Sequence, residues 1–444
     1  MTTGTMDIAE LPRTLGLRAS SALIIGNILG MGIFLTPAEV AVAVEGGQAY
    51  LLHWLLGGAV ALAGGLVVAE LGVLFPRAGG DYVFLDRAFG RPVAVAWGWI
   101  SLGVSFAASI AAMAVGLGDT LAALPALAGL RDALGPEGLA RGAAVLAVLA
   151  CFAMNAFSVP LVGRVQATLA AALLVGFAAL GVVALGDGGA GAALAARGSA
   201  PTAGHASALA AVFFTYSGWN VLCYVGGDVR SPERTIPRAV LAAVVAVAGL
   251  YAVLNLAFVA MLGIDGLRET PNAGVALATR LLGARGGDLF GAAVALAIFA
   301  GINSSLMAAS RVALALAEDG HLPRPLARLH PRWATPWSAL LAVSAWVLVL
   351  LLSGSFGALV TLSGATMIGL SALSVASLFV FRRRGLGADA RLPGYPWVPA
   401  LYLLFAGVVL GMVALSDPLR AGAGVLAFVG LAVVVARRRA SRRA

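Results

Sequence analysis

Apolar segments of about 20 residues recur along almost the whole sequence, and short polar turns separate them. A helix of about 20 residues spans the roughly 30 Å of hydrocarbon in a bilayer. Because 61% of the residues are hydrophobic and only 11% are charged, a soluble protein with an ordinary hydrated surface is excluded. We therefore predict an all-α membrane protein with twelve transmembrane helices. The predicted spans are 18–43, 47–75, 92–123, 141–157, 160–186, 206–227, 237–262, 286–318, 337–353, 356–381, 397–415 and 420–436.

The basic residues indicate how the chain is oriented. All 29 are arginines, and 22 of them fall on the cytoplasmic side if residues 1–17 lie in the cytoplasm and the spans alternate. This asymmetry follows the positive-inside rule, so we expect a multi-pass protein of the cell's inner (plasma) membrane with both termini cytoplasmic. The basic tail 437–444 then lies in the cytoplasm. Topology accounts for the formal net charge of +9, and no nucleic-acid partner is expected.

Two predicted spans are interrupted by glycine at equivalent places. The first span contains Gly30 and Gly32, and the sixth contains Gly218 within the polar stretch 214–220. Glycine costs a helix about 1 kcal/mol relative to alanine, and unpaired backbone at membrane depth must line a cavity or be buried in protein. The two interruptions are about 188 residues apart, as are the starts of the two spans. Such a pair predicts the binding site of an inverted-repeat transporter.

The interruptions divide the chain into repeated parts. The predicted organisation is a cytoplasmic N-terminus at 1–17, a first repeat of helices 1–5 at 18–186, a second repeat of helices 6–10 at 206–381, helices 11 and 12 at 397–436, and the tail at 437–444.

The interrupted helices suit a zwitterionic ligand. A half-helix that begins near Gly32 points free N–H groups and the positive end of its dipole into the site, which favours a carboxylate. Unwound carbonyls at Ile28 and between Phe214 and Ser217 suit an ammonium group. A side chain at Gly32 is expected to fill the place of the carboxylate. The other interpretation is that these glycines only let neighbouring helices pack closely.

Several motifs in the same order resemble the amino acid–polyamine–organocation transporters. They are Gly30-Met31-Gly32-Ile33-Phe34, Phe75-Pro76-Arg77-Ala78-Gly79-Gly80-Asp81-Tyr82, Phe214-Thr215-Tyr216-Ser217-Gly218-Trp219-Asn220 and Asn303-Ser304-Ser305. The resemblance implies a LeuT-type 5+5 inverted repeat of ten helices plus two more, with helices 1 and 6 broken. It also implies that Phe214 is a gate over a bound amino acid.

The resemblance implies further roles at the site. Met31 and Gly32 would offer N–H groups to the carboxylate, and the carbonyls of Ile28, Phe214 and Ser217 would accept from the amine. The residues expected to bind substrate are Ile28, Gly30, Met31, Gly32, Phe214, Ser217, Gly218, Trp219, Asn303 and Ser305.

The residues around the breaks favour a neutral substrate. Related arginine–agmatine antiporters stack a guanidinium on a tryptophan in the eighth helix, and Ser305 stands at that position here. No acidic residue lies near either break in the sequence, so a second positive charge has no expected partner. We predict a permease or exchanger of neutral L-amino acids. The alternatives are a cationic amino acid or polyamine antiporter of the arginine/agmatine type and, more remotely, a transporter-like amino acid sensor.

The fifth helix departs from the family pattern. Many relatives carry a lysine there, in the place of a sodium ion, whereas the aligned residue is Leu173 and the chain has no lysine. Oxygen atoms near Ser304 and Ser305 are therefore left for water or for a sodium ion. The two hypotheses are obligatory exchange with a water-filled gap and sodium-stimulated transport, of which we favour exchange.

The remaining residues indicate no enzyme, cofactor or bound metal. Histidine, cysteine and acidic residues form no cluster at membrane depth, as a membrane enzyme would require. Residues 124–140 lack the cysteine through which eukaryotic L-type relatives attach a heavy subunit, so no disulfide-linked partner is expected. The protein is expected to be a monomer or a homodimer in the lipid bilayer. Arg311 and Glu318 share a helix face and are expected to tie that helix to a neighbouring loop.

Overall fold

The computed structural model describes residues 11–30, 32–186, 189–198, 204–353, 356–387, 393–416, 422, 426 and 428–435. This part of the chain is helical, and its only β-pairings are isolated bridges such as Leu15 with Val229. The helices are α1 (Leu17–Ile28), α2 (Gly32–Ala41), α3 (Gly47–Leu74), α4 (Asp81–Phe89), α5 (Arg91–Ala122), α6 (Ala128–Leu134), α7 (Pro136–Phe157), α8 (Val159–Leu185), α9 (Ala190–Ala195), α10 (His205–Thr215), α11 (Val221–Tyr224), α12 (Pro232–Arg268), α13 (Ala273–Glu318), α14 (Trp337–Ser353), α15 (Phe356–Arg383) and α16 (Trp397–Ser416).

Several of these helices are long and apolar enough to cross a membrane. Within the described residues they are α3, α5, α7, α8, α12 and α13, and the bent pair α1–α2 makes a seventh if it forms one span. Helices α14 and α16 are apolar but shorter in their uninterrupted described part. The membrane class predicted from the sequence is confirmed at this level. Seven of the 17 residues of the predicted last span, 420–436, lie outside the described residues, as do 1–10 and the tail 437–444.

Helices α12 and α13 are longer than the predicted spans 237–262 and 286–318. Each contains a glycine with positive φ, +70° at Gly263 and +73° at Gly283, where the helix changes direction. The predicted boundaries fall at these kinks. The segment between them, which we expected to be a loop, is helical up to Arg268 and again from Ala273.

The broken helices lie inside the bundle, between longer ones. Helix α1 packs against α8, α12 and α13, and α12 also packs along α3. A hydrogen bond from the Tyr50 hydroxyl to Asn255 Oδ1 joins α3 to α12 in the core. The glycine-rich turn after α3 leads into the short helix α4, whose first residue Asp81 is buried.

Arg311 and Glu318 both tie α13 to neighbouring loops, as predicted. Arg311 Nε and Nη2 donate to the two carboxylate oxygens of Asp228 at 3.1 Å each, and both side chains are fully buried. Glu318 faces Arg77 at 3.9 Å. Asp228 lies in the chain after α11, and Arg77 lies in the turn after α3. Arg91 and Asp319 form a further ion pair nearby.

Candidate functional site

Both predicted interruptions are present, and they face each other. Helix α1 ends at Ile28 and α2 begins at Gly32, while α10 ends at Thr215 and α11 begins at Val221. Gly218, in the second interruption, has a φ of +107°, a conformation that L-residues with side chains rarely adopt. A Cβ atom on Gly218 would lie 2.5 Å from Asn27 Nδ2. Glycine here therefore permits both the backbone conformation and the close approach of the two breaks.

Asn27 connects the elements around the breaks. Its Nδ2 donates to the carbonyl of Gly218 at 3.3 Å, and its Oδ1 accepts from the Ser305 hydroxyl at 2.8 Å. One amide side chain on α1 thus holds both the interruption between α10 and α11 and the middle of α13. The sequence analysis did not assign Asn27 to the site.

A cavity of about 200 Å³ lies between the two breaks. Most of the residues expected at the substrate site lie in its wall. These are Ile28, Gly30, Gly32, Phe214, Ser217, Gly218, Trp219 and Ser305. Met31 lies outside the described residues. The breaks and α13 therefore come together around one space, as the motifs predicted.

Asn303 does not line this cavity, contrary to the expectation that it binds substrate. Its Oδ1 accepts from Asn155 Nδ2 at 2.7 Å and its Nδ2 donates to Gln166 Oε1 at 3.2 Å. Gln166 in turn donates through Nε2 to the Ser304 hydroxyl at 2.9 Å and to the Ala300 carbonyl at 3.1 Å. A buried polar cluster thus joins α7, α8 and α13. Adjacent positions on a helix face different sides, which the motif alone did not resolve.

The start of α2 borders the cavity. The first N–H groups of a helix have no partner within it, and the dipole makes that end positive. A Cβ atom on Gly30 would meet nothing within 4 Å, so the space beside it is open. At Gly32 a Cβ atom would lie 2.9 Å from Thr215 Oγ1, so this glycine lets α2 approach α10. The expectation that a side chain at Gly32 would enter the carboxylate space is therefore wrong in its geometry.

Two of the carbonyls expected to bind an ammonium group already have donors. The carbonyl of Ile28 accepts from the Tyr251 hydroxyl at 2.9 Å and from the Gly30 N–H at 2.7 Å. The carbonyl of Phe214 accepts from the Ser217 hydroxyl at 2.6 Å and from the Ser217 N–H at 3.0 Å. Neutral groups of the protein thus occupy positions that we had assigned to the ligand.

The two aromatic residues of the second break differ in exposure. Phe214 is 41% exposed and lies in the cavity wall. Trp219 is 3% exposed and packs edge-on against Tyr402, with ring centroids 5.7 Å apart. Phe214 is thus the more accessible of the two.

The cavity wall also contains a carboxylate that the sequence analysis missed. Asp81 lies in the wall beside Asn220 and Tyr224. The expectation that no acidic residue lies near the breaks was therefore wrong. The turn after α3 brings Asp81 next to Asn220 of the second break. Burial raises the pKa of Asp81, which lies outside the spanning helices, to about 6. No group of three metal-ligating side chains is present among the described residues.

Comparisons with known proteins identify the family of the chain. A family model described as amino acid permease matches residues 15–435. The serine/threonine exchanger SteT of Bacillus subtilis (strain 168) is 29% identical over 427 residues, 95% of this chain and 95% of SteT. The Asc-type amino acid transporter 1 of Mus musculus is 28% identical over 424 residues, 94% of this chain and 79% of that protein.

A third relative extends the same pattern. The large neutral amino acids transporter small subunit 2 of Rattus norvegicus is 29% identical over 436 residues, 93% of this chain and 78% of that protein. The family match covers nearly the whole chain, and the apolar helices fit a multi-pass membrane protein. The chain belongs to the amino acid permease family of the amino acid–polyamine–organocation transporters.

Proposed function

We propose that this protein is a secondary transporter that exchanges neutral L-amino acids by alternating access. The observation that carries the proposal is the pair of helix breaks on one cavity, joined by Asn27. The relatives are named for serine, threonine and large neutral amino acids, which supports the same substrate class here. It is a transporter, not an enzyme.

The cavity offers complementary partners to the two charged ends of an amino acid. The substrate carboxylate binds at the N-terminus of α2, next to Gly30, where free N–H groups and the helix dipole stabilise negative charge. The ammonium group faces the interruption around Ser217. Phe214 closes over the ligand as the gate. Thr215 donates to the Thr36 hydroxyl at 2.9 Å, so α2 and α10 move together when the site opens.

The wider architecture belongs to the same proposal. Twelve spans would form a LeuT-type pair of five-helix inverted repeats, at 18–186 and 206–381, followed by helices 11 and 12. Both termini would lie in the cytoplasm and the protein in the inner membrane, because 22 of the 29 arginines then fall inside. The protein acts without a disulfide-linked heavy subunit, as a monomer or homodimer.

The polar contacts beside the first break favour exchange over sodium coupling. Ser304 accepts from Gln166 and donates to the Ala300 carbonyl at 2.9 Å, and Ser305 donates to Asn27. The Tyr251 hydroxyl satisfies the Ile28 carbonyl. These oxygens therefore gain their hydrogen bonds from neutral groups and need no bound cation. Buried Leu173 takes no part in this network.

The substrate class is tested by counterflow in proteoliposomes. Vesicles loaded with unlabelled serine should accumulate external labelled serine, and small or mid-sized neutral L-amino acids should compete. Arginine and agmatine should not compete, because Ser305 offers no aromatic face for a guanidinium. Strong competition by arginine or agmatine would favour the cationic antiporter. Binding without any flux in sealed, protein-containing vesicles would favour a sensor.

A further inference from the structure

The end of the cavity around Asp81 contains polar atoms without partners. Asp81 is 2% exposed, and its Oδ2 accepts from Asn220 Nδ2 at 3.3 Å and from the Tyr224 hydroxyl. Its Oδ1 is buried and receives no hydrogen bond of good geometry, because the nearby Ser374 hydroxyl donates to the Leu370 carbonyl at 3.2 Å. Buried polar atoms are normally paired, so an unpaired oxygen in a cavity wall points to an occupant.

Helix α5 contributes further unpaired atoms to the same wall. Trp97 Nε1 and the hydroxyls of Ser101 and Ser105 are buried without hydrogen-bond partners in the described part of the chain. Ser101 and Ser105 lie in a π-helical segment, Ser101–Phe106, which widens the helix turn. Trp97 stacks on Tyr224 with ring centroids 6.2 Å apart, which places this group next to the Asp81 partners.

The charge of Asp81 defines what the occupant is. The polar groups beside Asp81 are an amide, a phenol and the Ser374 hydroxyl, all neutral. The other carboxylates of the neighbouring loops have arginine partners, as in Arg91 with Asp319 and Arg77 with Glu318. A buried carboxylate facing a cavity without a cation attracts one, and hydroxyls beside it accept further N–H donors. A primary ammonium group fits the carboxylate and the hydroxyls, whereas the Trp97 N–H is a donor and gains no partner from it.

We propose that Asp81 forms a second substrate subsite, which binds the ammonium group of the amino acid. The subsite lies between the helix breaks and the membrane side on which the turn from α3 to α4 lies, which we call the α3–α4 side. The subsite is defined by Asp81, Ser101, Asn220 and Tyr224. Asn220 belongs to the second break and also touches Asp81, so it links the first site to the second. This inference rests on the proposed function, since it assigns a step on the substrate's path.

The test compares the two sides of the membrane in vesicles that hold the protein in one orientation. With Asp81→Asn, the KM for serine exchange should rise about tenfold or more on the α3–α4 side and change less than twofold on the other. Asp86→Asn is the matched control, because Asp86 lies on the same helix and faces Arg91 at 3.5 Å instead of the cavity. Equal KM values for Asp81→Asn and wild type on both sides would overturn the subsite.

A second measurement uses wild-type protein alone, so it does not depend on how the variant folds. Methylammonium, applied from the α3–α4 side in choline buffer, should inhibit exchange competitively. Inhibition should weaken about fourfold between pH 7.5 and 5.5, since the pKa of Asp81 is about 6. Among the described residues the titratable groups facing Asp81 are Cys223, Tyr224 and Tyr402, which stay neutral over that range.

The remaining outcomes separate the two proposals. Equal inhibition by sodium and methylammonium would contradict an ammonium subsite, because it would indicate a general cation site. Inhibition that is the same at both pH values would also contradict it. Failure of wild-type protein to exchange any neutral amino acid would contradict the proposed function itself, whereas intact exchange without these effects contradicts only the subsite.

Discussion

Gly30 is the residue at which the cavity is most open to change. A Cβ atom there would meet nothing within 4 Å, and the residue lies in the cavity wall next to the start of α2. A side chain at this position therefore enters the space proposed for the substrate carboxylate without disturbing the packing of neighbouring helices. Gly32 lacks this property, because Thr215 stands against it.

Replacing Gly30 by valine should abolish substrate binding while leaving a folded, monodisperse protein. The valine methyl groups would occupy the anion site at the N-terminus of α2. Binding is measured by titration of purified protein with the best neutral substrate. Gly176→Val is the control, because Gly176 also has open space around it but lies on the exposed side of α8. Normal affinity in Gly30→Val would show that the break serves packing alone.

The positions of the two helix breaks were predictable from the sequence, whereas the residues that surround them in the fold were not. Glycines 30, 32 and 218 predicted the interruptions because helices disfavour glycine and membranes disfavour unpaired backbone. The position of Asp81 depends on how the α3–α4 turn folds under the second break, and no local pattern encodes that. The partner of Arg311 likewise depends on a contact between distant segments.

The sequence motifs also gave no indication of the role of Gln166. The alignment placed Leu173 where many relatives carry a lysine, so we expected oxygen atoms near Ser304 and Ser305 to lack a partner. The hydrogen bonds between α8 and α13 depend on tertiary packing, which the alignment does not encode. The structure brings the amide of Gln166 to the Ser304 hydroxyl at 2.9 Å. Asn303 was placed in the site by its motif, whereas its side chain points into the cluster with Asn155 and Gln166.

The buried polar cluster around Gln166 and Ser304 predicts how substrate affinity depends on sodium. Substrate affinity should be the same in sodium and in choline at fixed pH and ionic strength, because neutral donors already satisfy Ser304 and the Ile28 carbonyl. The measurement is the Kd of the best neutral substrate in each salt. A fall in Kd of tenfold or more in sodium would indicate a cation at Ser304 and Ser305 and would contradict pure exchange.

At the scale of the whole molecule, ion pairs connect distant parts of the chain outside the cavity. Asp228 and Arg311 are both fully buried, and the carbonyl of Asp228 also accepts from the Leu15 N–H at 2.8 Å. The segment before α1, the end of the sixth predicted span and α13 thus meet at one point. When α13 moves relative to α11, the ion pair between Asp228 and Arg311 must therefore either break or shift with the two segments.

Replacing Asp228 by asparagine should lower the free energy of unfolding by about 3–5 kcal/mol, because it leaves the Arg311 guanidinium buried without its counter-charge. The readout is the thermal unfolding midpoint in detergent. Glu137→Gln is the control, since Glu137 forms an exposed pair with Arg141 at 3.5 Å, and its midpoint should match wild type. A midpoint for Asp228→Asn equal to that of the control would show that the pair adds no stability.

We propose that one cavity between two helix breaks holds both charged ends of a neutral amino acid. The direct measurement is competition in serine counterflow by the best neutral amino acid, by its carboxamide and by its analogue without the amino group. We predict that the intact amino acid competes and that both analogues lose at least about tenfold in affinity, since each lacks one charge-assisted interaction. Equal competition by the carboxamide would contradict the claim, because the N-terminus of α2 would then bind no carboxylate.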